Sequence, residues 1–122
     1  APARYALAQL FIQKEEFPRA FEQYEIILRQ NPKDLKARNE LGLLYLKTDE
    51  PRKALESFQK TLEINNRYAN GHANLGLAYA FLGDADKALE EWGKALELDP
   101  NLSAAAKNKK LLEDVMQGNV NV

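Results

Sequence analysis

The amino-acid sequence predicts an all-α protein, a solenoid of three helix-turn-helix repeats followed by a C-terminal capping helix. When the sequence is shifted by 34 residues, segment 41–45 falls on 75–79 and segment 53–56 falls on 87–90, with nearly all residues identical. Within each copy, apolar residues recur four positions apart, which is the spacing of one helix face. Repetition at this length is typical of stacked helical units that bury their apolar faces against neighbours. The 122 residues suffice for one such domain.

The period divides the chain into three units, residues 1–34, 35–68 and 69–102. Each half of a unit carries its own apolar pair and is therefore predicted to be a helix. The pairs are Leu7 and Phe11, Leu41 and Tyr45, and Leu75 and Tyr79 in the first halves, and Ala20 and Tyr24, Ala54 and Phe58, and Ala88 and Trp92 in the second halves.

Proline and glycine positions predict where these helices start and end. Pro18 and Pro51 suit the first turn of a second helix. Second helices are expected to end just before Pro32 and Pro100, because the residue before a proline is pushed out of the helical region. Gly83 is expected in the turn between the two helices of the third unit.

Small residues recur where the two helices of a unit are expected to touch. They are Ala8, Gly42 and Gly76 on the first helices and Ala20, Ala54 and Ala88 on the second helices. Such residues let helix axes approach to roughly 8–10 Å while neighbouring aromatic side chains fill the remaining volume. A bulky side chain at Gly76 is therefore expected to separate the pair.

The third unit carries large and small residues at a characteristic set of positions. They are Leu75-Gly76, Tyr79, Gly83-Asp84, Ala88, Trp92, Ala95 and Leu98-Asp99-Pro100. This set resembles the tetratricopeptide repeat family, and the resemblance recurs in register over residues 1–102. It implies a right-handed α-solenoid in which the first helix of each repeat lines a concave groove that contacts ligands.

Three kinds of position depart from the family pattern. Arg4, Arg38 and His72 stand where a large aromatic residue is expected, Glu15 and Asp49 replace the turn glycine, and Asn66 replaces a proline at the end of the second unit. The turn at 48–51 and the junction at 65–68 therefore lack their usual residues. For His72 we expect a partly buried packing or hydrogen-bonding role rather than metal binding.

The two ends of the predicted stack differ. Residues 103–117 form an amphipathic pattern, which predicts a helix that caps the C-terminal end of a single domain spanning 1–117; a partner-binding helix is the alternative. Residues 118–122 are predicted to be a flexible tail. At the N-terminal end Leu7 and Leu10 are expected near an uncovered surface, which predicts further sequence before Ala1 or self-association through that end.

Composition argues against most kinds of chemistry. The chain has no cysteine and one histidine, and no glycine-rich segment lies between a strand and a helix, so we expect no enzyme activity, no metal site and no cofactor. Its 17 basic and 18 acidic residues interleave, which disfavours nucleic acid as a partner. No apolar run is long enough for membrane insertion. The sequence does not assign a cellular compartment. The cytoplasm is favoured over a periplasmic or secretory location.

The remaining candidate is a binding surface on the first helices. The resemblance implies that the concave groove contains Tyr5, Gln9, Ile12, Lys36, Asn39, Leu43, Leu46, Lys47, Asn70, Ala73, Asn74, Leu77 and Phe81. Leucine and phenylalanine side chains there predict an apolar trough, and the asparagines offer donors and acceptors to the main chain of an extended peptide. The sequence thus predicts a protein-protein interaction module, a scaffold or adaptor that binds a peptide or protein segment.

The predicted groove lacks the basic residues that some family members use to bind a terminal carboxylate. Chaperone-binding family members grip a terminal carboxylate with lysine, arginine and asparagine, whereas the matching positions here hold Tyr5, Gln9, Glu40, Asn70 and Asn74, without a basic residue. Capture of a heat-shock chaperone tail is therefore not expected.

The alternative function is a structural segment of a longer array or assembly, whose surfaces contact its own chain or copies of itself.

Overall fold

The computed structural model describes residues 2–118 and contains seven helices and no strand within that range. The helices are α1 (Pro2–Gln13), α2 (Phe17–Gln30), α3 (Leu35–Lys47), α4 (Pro51–Ile64), α5 (Ala69–Phe81), α6 (Ala85–Leu98) and α7 (Ser103–Met116). Each helix packs against the next along the chain, and α3 also contacts α5 directly. The prediction of an all-α repeat solenoid is confirmed.

The turns inside the three hairpins share one backbone conformation. Glu15, Asp49 and Gly83 have φ values of 59°, 62° and 83°. In each turn the next backbone N–H donates to a carbonyl near the end of the first helix: Glu16 to Phe11 at 2.8 Å, Glu50 to Tyr45 at 2.7 Å and Asp84 to Tyr79 at 2.9 Å. This pairing satisfies carbonyls that a helix end leaves free. The turn therefore forms in all three hairpins, although only one has glycine.

Replacing Glu15 or Asp49 with glycine is expected to stabilise the fold by about 0.5–1 kcal/mol each. A side chain in the left-handed region carries a steric penalty that glycine avoids, and this gain exceeds the entropy that glycine adds to the unfolded chain. Urea unfolding measures the change. Gly83→Ala is the matched reverse substitution and is expected to destabilise; a stabilised Gly83→Ala variant would contradict the assignment.

The links that follow second helices also repeat. The Oδ1 atom of Asn31 accepts a hydrogen bond from Lys33 N at 3.3 Å. Asn65 accepts from Arg67 N at 3.0 Å, and Asp99 accepts from Asn101 N, also at 3.0 Å. Such side-chain bonds to the backbone two residues ahead favour a turn over continued helix. The junction after Ile64 therefore forms without the proline that the family pattern provides.

Aromatic side chains of the second helices fill the space left by small residues of the first helices. Phe58 is fully buried against Gly42, and Trp92 is 3% exposed against Gly76. A Cβ atom built on Gly76 would lie 2.7 Å from two atoms of the Trp92 ring, which is too close for an undistorted contact. Close approach, rather than backbone freedom, is thus the reason for glycine in these helices.

Polar links join the two helices of each hairpin at the positions where an aromatic residue is expected early in the first helix. Arg4 donates to Gln23 Oε1 at 3.1 Å, and Ser57 donates to the Arg38 carbonyl at 2.9 Å. His72 Nδ1 lies 2.8 Å from Glu91 Oε1. All three links join the first and second helices of one hairpin across 19 residues. His72 therefore has the hydrogen-bonding role that its position suggested.

The last helix is only partly covered. On α7, Ala105 is buried and Leu112 packs near Trp92. Leu111, Val115 and Met116 are at least half exposed, because only the row of α7 that faces the preceding helices is covered. These three residues belong to the apolar side of the predicted amphipathic helix, and the capping role of α7 stays a prediction. After α7, Gly118 adopts a φ of 74°; the remainder of the predicted tail lies outside the described residues.

The described part of α1 also exposes apolar side chains. Leu7 is 38% exposed and Leu10 is 44% exposed.

None of the described helices is both long and apolar enough to cross a membrane.

Candidate functional site

The predicted groove residues divide into exposed, half-buried and buried side chains. Gln9, Lys36, Leu43, Lys47, Asn70 and Phe81 are exposed; Tyr5, Ile12, Ala73, Asn74 and Leu77 are half-buried; Asn39 and Leu46 are buried. All lie on α1, α3 and α5, and we call the exposed and half-buried members of the set the α1–α3–α5 surface. The exposed and half-buried side chains can meet a partner without rearrangement of the core.

Four of these residues line one cavity between α1 and α3. Gln9, Ile12, Leu43 and Lys47 surround a volume of about 210 Å³, together with Tyr24, Glu40 and Leu44. We call this cavity the Glu40 pocket. Its walls combine aliphatic side chains with a carboxyl, a phenol hydroxyl and an amide. A mostly apolar pocket with a few converging polar groups is the usual form of a specific ligand site.

Glu40 is the polar centre of this pocket. Its Oε2 atom is buried and has no hydrogen-bond partner among the described residues. The Tyr24 hydroxyl hydrogen-bonds the carboxyl group and in turn accepts a hydrogen bond from Gln9 Nε2 at 3.2 Å. None of the ion pairs within residues 2–118 includes Glu40. A buried acceptor without a donor is costly to the folded state.

Burial raises the pKa of the Glu40 carboxyl above its ordinary value, while the Tyr24 hydrogen bond and the positive charge of Lys36 oppose the rise. The pKa of the Tyr24 hydroxyl is also raised, first by burial and then by the charge of Glu40. Desolvation thus dominates at both groups, because removal from water penalises the charged form.

Glu40→Gln is expected to raise the melting temperature at pH 7. The carboxyl has a higher pKa folded than unfolded, so its contribution to stability is complete below the ordinary pKa of 4.5 and is lost as the pH rises through the folded-state pKa. The neutral amide avoids this loss. Thermal unfolding of both proteins is expected to show a difference at neutral pH that disappears near pH 4. A less stable variant at neutral pH would contradict the desolvated carboxylate.

A second cavity lies at the C-terminal end of the chain. Leu77 and Ala80 of α5 and Trp92 of α6 face Asn108, Leu111, Leu112 and Val115 of α7 around a volume of about 280 Å³. We call it the Leu77 pocket. It is almost wholly apolar, and α7 supplies one wall. Of the predicted groove residues, Leu77 lines this pocket, and the groove as a whole stays a prediction.

Several predicted groove residues are engaged in the fold itself. The Tyr5 hydroxyl donates to Asp34 Oδ1 at 2.7 Å, and Asp34 also caps α3 by accepting from Ala37 N. Asn74 Nδ2 donates to Asn39 Oδ1 at 3.1 Å and so joins α5 to α3. Burial leaves Asn39 little access to a partner.

Leu46 and Ala73 also face the interior. Leu46 is 8% exposed in a cluster with Phe58 and Leu75. Ala73 packs in the cluster around Trp92, and its carbonyl accepts a hydrogen bond from Trp92 Nε1 at 3.0 Å. For both residues the described contacts are internal to the fold.

Sequence reasoning placed Glu40 at a groove position but did not predict its burial, and it missed that Tyr24 and α7 line these two pockets. Glu40 lies between Asn39 and Leu41 on α3, a pattern that does not reveal burial. Tyr24 was assigned to the core, where its ring does lie, but its hydroxyl reaches the pocket. The amphipathic pattern of α7 was visible, yet an apolar stripe does not say which neighbour covers it.

Stacked helical hairpins with an open surface on their first helices define a helical-repeat protein. A family model described as Tetratricopeptide repeat matches residues 69–102, and a second model with this description matches residues 5–69, more than half of the chain. The chain belongs to the tetratricopeptide repeat (TPR) family. A comparison with curated protein sequences finds no match.

Solved structures with this fold include peptide complexes. The first TPR of Spaghetti (RPAP3) bound to HSP90 peptide SRMEEVD has a TM-score of 0.85 at 15% identity and covers 94% of this chain and 91% of that one. The second TPR domain of human RPAP3 in complex with HSP70 peptide SGPTIEEVD has a TM-score of 0.82 at 19% identity, covering 93% and 94%. At these identities the likeness shows the fold.

A third structure is YrrB, described as a TPR protein with an unusual peptide-binding site. It has a TM-score of 0.79 at 26% identity and covers 88% of this chain but 55% of the YrrB chain. This chain therefore spans little more than half the length of YrrB.

Proposed function

We propose that this domain binds a short extended peptide segment of a partner protein on the α1–α3–α5 surface, without enzymatic chemistry. The observation that carries the proposal is the Glu40 pocket, an open cavity between α1 and α3 whose lining combines aliphatic side chains with a few polar groups. The peptide complexes of the similar structures support binding as the class of function. A surface held by packed helices loses little conformational freedom on binding.

The direct test uses a library of short blocked peptides of random sequence. Immobilised domain is exposed to the library, and retained peptides are identified by mass spectrometry. We expect a subset with a shared pattern to be retained, and free domain in solution to compete it away. Retention no greater than on an unrelated helical protein would contradict peptide binding and favour the alternative of a structural array segment.

The acidic peptides of the two RPAP3 complexes provide a comparison. Among the groove positions that match the family's carboxylate clamp, Glu40 is acidic and Gln9 and Asn70 are neutral. A carboxylate-rich tail would place like charge beside Glu40, which is unfavourable in a desolvated pocket. We therefore expect neither SRMEEVD nor SGPTIEEVD to compete with the retained peptides.

A further inference from the structure

We infer that the Leu77 pocket receives one large apolar side chain of the bound peptide, so that α7 forms a wall of the binding surface beside the first helices. This inference rests on the proposed function and names a residue type that the surface selects. The pocket includes Leu77, a member of the α1–α3–α5 surface, together with Leu111 and Val115 of α7. The binding surface therefore continues from α5 onto α7.

The register of α7 matches that of the first helices. The helices α3, α5 and α7 start one period of 34 residues apart. At this period Leu43, Leu77 and Leu111 share one position, and Phe81 and Val115 share another. Because stacked repeats present equivalent positions on the same face, the apolar residues of α7 extend the row of predicted groove residues.

The lining of the pocket is accessible from solvent. Leu111 and Val115 are more than half exposed, and Leu77 is half-buried. The buried ring of Trp92 lies on the inner side of the lining. A side chain that arrives from solvent can therefore contact Leu111 and Val115 without any rearrangement of the helices.

A different face of α7 replaces the hairpin contact of α5 with charged side chains. On α5 these positions hold Leu75, Gly76 and Tyr79, and on α7 they hold Lys109, Lys110 and Glu113. Lys109 Nζ lies 3.0 Å from Glu113 Oε2. An ion-paired face suits water rather than a packed helix. A helix paired with α7 as α6 is with α5 therefore does not explain why Leu111 and Val115 are apolar.

The size of the exposed patch favours a peptide side chain over a second copy of the domain. Phe81, Leu111, Val115 and Met116 are each at least half exposed. A large side chain buries about 200 Å² when fully covered, so these four supply at most about 400 Å². Each partner in a stable interface buries about 800 Å². A cavity of about 150 Å³ already holds a benzene ring, so the volume of about 280 Å³ accommodates a leucine or phenylalanine side chain.

Asn108 offers a polar group to the backbone of the peptide. It lines the pocket and is half-buried, and its side chain has no hydrogen-bond partner within residues 2–118. An amide side chain has both donors and an acceptor, and an extended peptide presents both kinds of group along its main chain. Apolar walls with one free amide therefore suit a peptide side chain and its adjoining backbone.

The test uses pools of short blocked peptides that carry leucine, phenylalanine, serine or aspartate at one central position and only small or polar residues elsewhere. We expect the wild-type domain to retain the leucine and phenylalanine pools about tenfold better than the serine pool, as burial of one large apolar side chain predicts. Leu111→Asp is expected to bring these ratios close to one. Met116→Asp is the matched control, because Met116 is an exposed residue of α7 that does not line the pocket. It is expected to behave as wild type.

Other retention results contradict the inference in distinguishable ways. Equal retention of all pools would reject apolar selection. An apolar preference that persists in Leu111→Asp would place the contact outside the Leu77 pocket, and equal loss in Met116→Asp would attribute the effect to added charge. If the random library of the direct test is retained but none of these pools is, the inference fails while peptide binding stands. If neither is retained, the proposed function itself fails. A thermal melt verifies that each variant is folded.

Two other occupants of the pocket would give different results. If a second copy covered it, sedimentation equilibrium would show a concentration-dependent dimer that Leu111→Asp abolishes. If the chain's own last residues covered it, a variant that ends at Gly118 would retain the leucine pool better than wild type. Either result would contradict the inference.

Discussion

Trp92→Ala is expected to lower the free energy of unfolding by about 3–5 kcal/mol, the usual effect of truncating a buried aromatic residue to alanine. Trp92 is 3% exposed and its ring lies against Gly76. Its Nε1 atom donates to the Ala73 carbonyl on the paired helix at 3.0 Å. The substitution therefore leaves a cavity between α5 and α6 and also a carbonyl without its donor.

Circular dichroism during urea unfolding measures this effect, because removal of the only tryptophan abolishes the intrinsic fluorescence signal of that residue. Trp92→Phe is the control: it retains most of the packing and loses the hydrogen bond, so about 1 kcal/mol is expected. A change below about 1 kcal/mol for Trp92→Ala would show that the α5–α6 pair does not depend on this contact.

Leu43→Asp is expected to weaken peptide retention by about tenfold or more while leaving the melting temperature nearly unchanged. Leu43 is 38% exposed and lines the Glu40 pocket, so its side chain contributes to the pocket wall more than to the core. Aspartate removes apolar contact area and adds a second negative charge beside Glu40. The affinity of a retained peptide, measured by fluorescence anisotropy, gives the size of the effect.

Leu10→Asp provides the matched control, since Leu10 is a 44% exposed leucine of α1 that does not line the Glu40 pocket. The same substitution there is expected to leave peptide affinity within about twofold of wild type, as for a surface change away from the site. Equal loss of affinity in the two variants would mean that added negative charge, rather than the pocket wall, controls binding.

The hairpin architecture was predictable because its signals are local and repeated. Gly42 and Gly76 occupy the same position one period apart, and each faces an aromatic residue of the following helix. The turns at Glu15 and Asp49 were harder to predict, because glycine is the usual signal for a positive φ. Their conformation follows from the carbonyls at the helix end, which need donors whichever side chain is present.

The site was less predictable because burial and pairing depend on neighbouring helices. The spacing of Leu46 and Leu43 along α3 does not show that Leu46 packs in the core while Leu43 stays accessible. A one-dimensional pattern likewise does not reveal that Glu40 lacks a partner for Oε2. Nor does it show that Tyr5 is engaged with Asp34, a residue 29 positions away.

Chemical-shift mapping tests most directly whether peptide binding uses the α1–α3–α5 surface. A peptide retained from the library is added to isotope-labelled domain, and backbone amide shifts are followed by two-dimensional NMR. We expect the largest changes at Gln9, Ile12, Glu40, Leu43 and Lys47, with much smaller changes on the exposed faces of α2, α4 and α6. Changes confined to those second helices would contradict the assignment of the binding surface.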